Sequence, residues 1–463
     1  MATVLPARHT DFPQQRSVLR GLPFFRLAAF SSIAMPVAAT QMPIGVYLPA
    51  IYAQEFGLSL GVLGTIFLVA KLWGTVTDPL IGVLSDRTGG RFGRRRPWIL
   101  AGATLFGLSA FFLFFPLPGV GAVYLGLTLF ALYLGWSMIQ IPYYAWSGEI
   151  SADYHERTRV VTFQSVAAAL SLLLVLVLPT VVDQLHPGNA RLKLATMGGL
   201  VLLLLLTALP LALRAFPEPV APPAPRTPLS FFTTVRLVWA NPLLVRVLAS
   251  DFAVTLGQTI RGTLFLFFVT IYMGLPQWAS GLFLLQFIFG VIAGPIWMRV
   301  GQRLGKHRTA VAGELVQVAI NLGLLLVVPG QLPLLLALTI SQGLAQGSGN
   351  LMLRSMVADV ADKHRLETGE DRNALFFSVF SISMKAAMAV GVGIALPLVA
   401  WLGFTPTGTN TPEGLHGLLL VFALGPAIAH LVSAALVHGF PLDEATHSEI
   451  RRQLHLRNAL PAE

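Results

Sequence analysis

The sequence predicts an all-α membrane protein whose twelve transmembrane helices form two six-helix repeats. Three observations lead there. Of 463 residues, 55% are hydrophobic and only 11% charged, with a mean hydropathy of +0.71, outside the range of an ordinary soluble domain. Apolar runs long enough to cross a hydrocarbon layer of about 30 Å recur along the whole chain. Two segments of the first half also return at corresponding places in the second, as set out below.

Taken in order, apolar runs near residues 24–54, 59–85, 97–116, 120–148, 159–182 and 194–215 supply the first six spans. Runs near 243–273, 277–299, 309–329, 331–358, 374–400 and 414–440 supply the second six. Residues 1–23 and 441–463 are polar tails. Between the bundles at 24–215 and 243–440 lies a linker, 216–242, that contains PEPVAPPAPRTP from Pro217 to Pro228. Proline removes amide donors and favours extended backbone there.

Charge sets the topology. The basic residues collect in the first tail, between Arg87 and Arg96, at Arg157 and Arg159, and at Arg214, Arg226 and Arg236. They return around Lys306, around Lys363 and in the last tail, whereas the opposite loops hold only Arg191 and Lys193. By the positive-inside rule both termini are expected in the cytoplasm, in a bacterial inner membrane. The formal charge of +10 thus reads as topology, with no nucleic-acid partner expected. The absence of cysteine excludes disulfides, thiolate nucleophiles and cysteine-ligated metal centres. No signal peptide is expected, since the first apolar run outlasts a secretory core of about 7–15 residues.

The halves echo each other. IPYYAWSGEISADYHERTR (Ile141 to Arg159) leaves the fourth span as LMLRSMVADVADKHRLETGEDR (Leu351 to Arg372) leaves the tenth, pairing Ala145 with Ser355 and Glu149 with Asp359. SDRTGGRFGRRR ends the second span as MRVGQRLGKHR ends the eighth. Parallel six-helix repeats are the architecture of major facilitator transporters. A monomer enclosing its own pathway, in contact with bilayer lipid and a small-molecule substrate, is the expectation.

DPLIGVLSDRTGGRFGRRRPW, PYYAWSGEISADYHERTR and the acidic DVADKHRLETGEDR before a lysine-bearing eleventh span resemble the glycoside-pentoside-hexuronide cation symporters, the melibiose permease group. The resemblance runs from about Phe24 to Phe440. It implies cation-driven symport of a sugar or related organic solute, with no cofactor beyond a coupling proton or sodium ion. It also implies that the aspartate before the proline of the second span, Asp78, and the lysine of the eleventh, Lys385, belong to the ion and sugar machinery. Sodium-using members carry Asp-x-x-Asn-Asp-Pro in the second span, where this chain has Gly74, Thr77 and Asp78. Galactoside-carrying members place an aspartate just before Ile-Pro, where this chain has Gln140, and no acid occurs from Trp98 to Gly148. Proton coupling is therefore favoured over sodium, and an amphipathic or lipid-like cargo is the alternative to a sugar.

Charge inside the bilayer points to the same residues. Lys71 and Asp78, seven apart, differ by about 340° around a helix and share one face. An ionisable residue at the bilayer centre costs at least about 2.5–3.5 kcal/mol and is retained for pairing or function. Asp78, Lys385, Lys71 and Thr77 are the expected coupling-ion set, with Lys385 as the expected partner of Asp78 and a structural pair with Lys71 as the competing reading. Trp136, Gln140, Tyr144, Gln41, Gln258, Arg261 and Lys385 are the expected substrate contacts, with Tyr143 and Gln164 as further candidates for a cavity wall. Arg261 reads equally well as one member of an intramembrane ion pair. Asp86, Arg87, Arg91, Glu149, Arg157 and Asp359 form an expected cytoplasmic gate, bridging to each other and to the other half. Arg94 to Arg96 read rather as topology and headgroup anchors. An intramembrane enzyme is disfavoured, because His430 is the one plainly central histidine and reads as a structural residue.

Overall fold

The structure, a computed structural model, describes residues 22–88, 92–150, 154–186, 188–218, 236–370 and 372–459, and its regular elements are all helical. The first span is a bent pair, α1 (Phe24–Ser31) and α2 (Ala34–Phe56), meeting at 42°. Pro36 causes the bend. It has no N–H for the Ser32 carbonyl, which instead accepts from the Met35 amide at 2.9 Å in a tighter turn. Helices α3 (Leu60–Arg87), α4 (Arg96–Phe114), α5 (Ala122–Glu149), α6 (Tyr154–Leu185) and α7 (Ala190–Ala215) complete the first half. The Ser59 hydroxyl accepts from the Val62 amide to start α3, and Asn189 caps α7 in the same way.

The second half comprises α8 (Pro242–Tyr272), α9 (Pro276–Leu304), α10 (Lys306–Leu326), α11 (Leu332–Ala345), α12 (Ser348–Thr368), α13 (Asn373–Trp401) and α14 (Pro412–Val437). Among the described residues ten helices, plus the bent first pair, are long and apolar enough to cross a membrane. The span expected near 331–358 is not continuous. It breaks into α11 and α12 at Gln346 and Gly347, where Gly347 takes a φ of 89°, a left-handed conformation that favours glycine. The last tail folds into α15 (Glu444–Ala459) and buries Ile450 and Leu454 against α12.

Three helix pairs join the halves: α2 with α8, α3 with α13, and α6 with α9. The closest approach lies at the end remote from the arginine-rich loops, the outer end hereafter. A methyl group at Gly64 would come within 2.7 Å of Pro397 Cδ, and one at Gly393 within 3.0 Å of Leu68. At the same end the Ser280 amide, at the start of α9, donates to Asp183 of α6 at 3.3 Å, and Gln184 donates to the Gln277 carbonyl at 3.3 Å. Small residues and short polar contacts thus draw the backbones together where apolar surface alone gives no driving force in lipid.

Candidate functional site

Asp78 lies nine residues before the end of α3, about 14 Å from the arginine-rich end at 1.5 Å per residue. Pro79 follows it and cannot donate to the Thr75 carbonyl, so the ladder is interrupted at the turn that presents the carboxylate. One carboxylate oxygen accepts from the Ser137 hydroxyl of α5 at 2.5 Å, and the other is ion-paired with the Lys385 ammonium of α13. The Thr77 hydroxyl, buried, donates to the Gly74 carbonyl at 3.0 Å and lies 3.3 Å from Ser137. The side chains of Asp78 and Lys385 keep 15% and 33% exposure, so the pair is enclosed without being sealed. This pair spans the two halves. Of the described hydrogen bonds and ion pairs between halves, it lies nearest the arginine-rich end. Lys71 stays apart from it, half-buried and without an ion-pair partner among the described residues.

Beside this pair, α5 presents Trp136, Gln140 and Tyr144 at four-residue spacing, one above another on a single face. The Trp136 indole donates to the Gln140 carbonyl at 3.1 Å, and the Gln140 amide donates to the Tyr144 hydroxyl at 3.3 Å. Tyr144 is exposed, as is Gln41 on α2. Gln258 of α8 is half-buried and donates to Asn350 of α12 at 2.9 Å. Tyr143 and Gln164, in contrast, are buried inside the first half and line no open wall.

Arg261 departs from expectation. It is 4% exposed within the second half, donates to Asn321 at 2.7 Å, and lies 5.2 Å from the Phe422 ring. No carboxylate among the described residues pairs with it; a neutral amide and an aromatic face hold the guanidinium instead.

The gate residues are arranged differently from the expected latch. Arg95, buried, is the hub, reaching Asp86 at 2.6 Å, Glu149 at 3.0 Å and the Ser85 hydroxyl at 3.1 Å. Arg94 adds a second bond to Glu149 at 2.6 Å. Arg87, which was expected to take part, is exposed. Arg94 and Arg95, not Arg87, make the contacts to Glu149. Asp359 is held by Lys306 at 2.7 Å and lies 3.4 Å from His447 of α15. These bonds tie each half to itself rather than to the other. Arg91 and the Arg157 side chain lie outside the described residues.

Several contributors escaped the sequence reading. Ser137 is an isolated hydroxyl one turn from Gln140, which was its only signal. Asp183, 1% exposed, is ion-paired with Lys193 of α7. An acid at the outer end of the fifth span, near one of the two bases on that side, was a usable clue. Glu218 accepts the backbone N–H groups of Arg94, Arg95 and Arg96 and so caps the start of α4 from the linker. Nothing in sequence spacing could bring an acid 122 residues away to that helix end.

A bundle of two six-helix halves, joined at one end and carrying an ion pair between them at mid-depth, defines a secondary transporter of the major facilitator type. The chain belongs to the MFS/sugar transport protein family, whose model matches residues 29–444. It is 27% identical over 427 residues to YagG of Escherichia coli (strain K12), provisionally named a glycoside/cation symporter, with 89% of this chain and 90% of the relative covered. It is 23% identical over 425 residues to the sodium-dependent lysophosphatidylcholine symporter 1 of Homo sapiens, covering 84% and 78%. The fold matches the crystal structure of the nucleoside transporter NupG with a TM-score of 0.64 at 10% identity, over 91% of this chain and 100% of that one. The protein is accordingly an integral membrane transporter of a symporter family, not an enzyme.

Proposed function

We propose that this protein is a proton-driven symporter of a sugar, glycoside or related organic solute, working by alternating access as a monomer with both termini cytoplasmic. The observation that carries the reading is the Asp78–Lys385 pair, one charge from each half, with Ser137 and Thr77 beside it. A proton on Asp78 removes the charge that holds Lys385 and frees the halves to move; its release restores the tie. One carboxylate, two hydroxyls and the Gly74 carbonyl offer sodium fewer oxygens than the six or so that hard cations gather, so a proton suits the site better. The adjoining face of Trp136, Gln140 and Tyr144 offers stacking and hydrogen bonds to a polar ring, with Gln41 and Gln258 as further contacts. The arginine-rich end is the cytoplasmic end, and the conformation is inward-facing.

The lysophosphatidylcholine symporter among the relatives supports a second reading, an amphipathic cargo with a charged head near Lys385. Uptake into proteoliposomes under imposed proton or sodium gradients, over glycosides, uronates and lysolipids, separates the two. Proton-driven accumulation of a glycoside or uronate, lost in Asp78→Asn, is the expected result. Accumulation that survives Asp78→Asn would overturn the coupling role, and lysolipid uptake alone would establish the second reading. A C-terminal tag reached by protease from outside intact cells would overturn the orientation.

A further inference from the structure

Inside the second half lies a polar cluster that the Asp78 site does not use. Asp251 of α8 is 1% exposed, and neither carboxylate oxygen has a hydrogen-bond partner. Its polar neighbour is Asn350, whose side-chain oxygen accepts from Gln258 at 2.9 Å, so its amide N–H groups stay available beside the carboxylate. Its like-charged neighbour is Glu314 of α10, 2% exposed, which meets Nδ1 of His430 on α14 at 2.5 Å while Nε2 of that ring is left without a partner. The approach is tight. A methyl group at Gly349 would fall 1.9 Å from Glu314 Oε1 and 3.6 Å from Val254, so α12 packs directly against that carboxylate and against α8. The residues come from four helices, at similar depth from the arginine-rich end.

Other charged groups on the helices around Asp251 are engaged or turned away. Lys385 holds Asp78, Lys306 holds Asp359, and Arg261 holds Asn321. Arg246 donates to the Leu436 and His438 carbonyls, and Glu55 at the far end of α2 pairs with Arg191. Arg299, Arg303 and Arg354 are exposed, and His307 sits half-buried at the first turn of α10. Among the described residues, therefore, no cation neutralises Asp251. Buried polar groups in native proteins are nearly always partnered, and a buried carboxylate with no counter-charge is stabilised when a proton removes its charge. No group of three or more acids and histidines among the described residues is placed to hold a metal ion.

We propose that Asp251, backed by the Glu314–His430 pair, is a second proton-binding site that loads and unloads during transport. The proton forms an O–H bond on the Asp251 carboxyl at the expense of a hydronium or water in the central space, and leaves by the reverse step. Gln258 and Asn350, both half-buried and hydrogen-bonded to each other, lie beside the acid. The inference rests on the reading of the chain as a cation-driven transporter, and its test needs no substrate. Infrared difference spectra of the full-length protein in liposomes, taken between acidic and alkaline pH, report carboxyl protonation directly. The wild type should show a protonated-carboxyl C=O band that Asp251→Asn removes and Asp251→Glu shifts, with both variants monodisperse. Asp78→Asn should leave this band in place, even where it abolishes gradient-driven uptake, so the two sites fail independently. A band unchanged in Asp251→Asn would overturn the proposal, as would one lost in Glu314→Gln but kept in Asp251→Asn.

Discussion

At the outer end the halves meet backbone to backbone, with Gly64 against Pro397, Gly393 against Leu68, and Asp183 accepting the Ser280 amide. At the arginine-rich end each half is bonded to itself, the first through Arg95, Asp86 and Glu149, the second through Lys306, Asp359 and His447. The difference teaches where each kind of interaction is useful. Charge networks in contact with water lose little when exposed and can brace one half throughout the cycle. Close glycine contacts and a desolvated acid hold only while the halves are together, which suits an end that must open and close.

The comparison can be broken most severely at Asp183. Asp183→Asn keeps an acceptor for Ser280 but leaves Lys193 enclosed without a counter-charge, a loss of about 3–5 kcal/mol for a buried pair with one partner removed. A lower melting temperature of the purified protein is expected, largely restored by the double variant Asp183→Asn/Lys193→Met. A neutral single variant would show that the outer end does not depend on this acid.

Next in size is Gly64→Phe, which forces a ring into the contact with Pro397. Overpacking of this kind costs about 1–3 kcal/mol, paid only by the outer-closed form. Because the chain has no cysteine, a single one introduced by Gln140→Cys can report access to the central space. Labelling from the outer face should rise about tenfold or more in the Gly64→Phe background, since each 1.4 kcal/mol is a factor of ten. An unchanged rate would mean that the seal lies elsewhere.

Arg95→Gln tests the other end. It removes the guanidinium shared by Asp86 and Glu149, and since Asp86 is more than half exposed the loss should stay near 1 kcal/mol, at about the upper limit for solvent-facing pairs. The melting temperature should fall slightly, with labelling from the outer face unaffected. If outer access changes as much as in Gly64→Phe, the two ends are not independent.

The smallest effect is expected on α15. Glu449, fully exposed, is held down to about 2 by hydrogen bonds from Arg452 and Gln453. A carboxyl lowered in the folded state contributes above its ordinary value near 4.5 and loses that contribution as pH falls toward 2. Glu449→Gln should therefore lower the melting temperature slightly at neutral pH but not near pH 2, with transport unchanged, and a measurable loss of transport would implicate this helix in the cycle.

By itself the sequence determined the membrane class, the two-half plan and the conspicuous charges, because apolar length, proline content and basic asymmetry are properties of local stretches. Asp78 and Lys385 stood out for the same reason: each is an ionisable residue in a run where such residues are costly. Tertiary structure alone decided what those charges meet. Arg261 turned inward to Asn321 and Phe422, Arg95 displaced Arg87 in the network, and Glu218 reached the start of α4 from the linker. Helical periodicity places a residue on a face but does not say which helix that face will touch. The Asp251, Glu314 and His430 cluster is the clearest instance, since its members lie on three helices far apart in the chain and only helix packing brings them together.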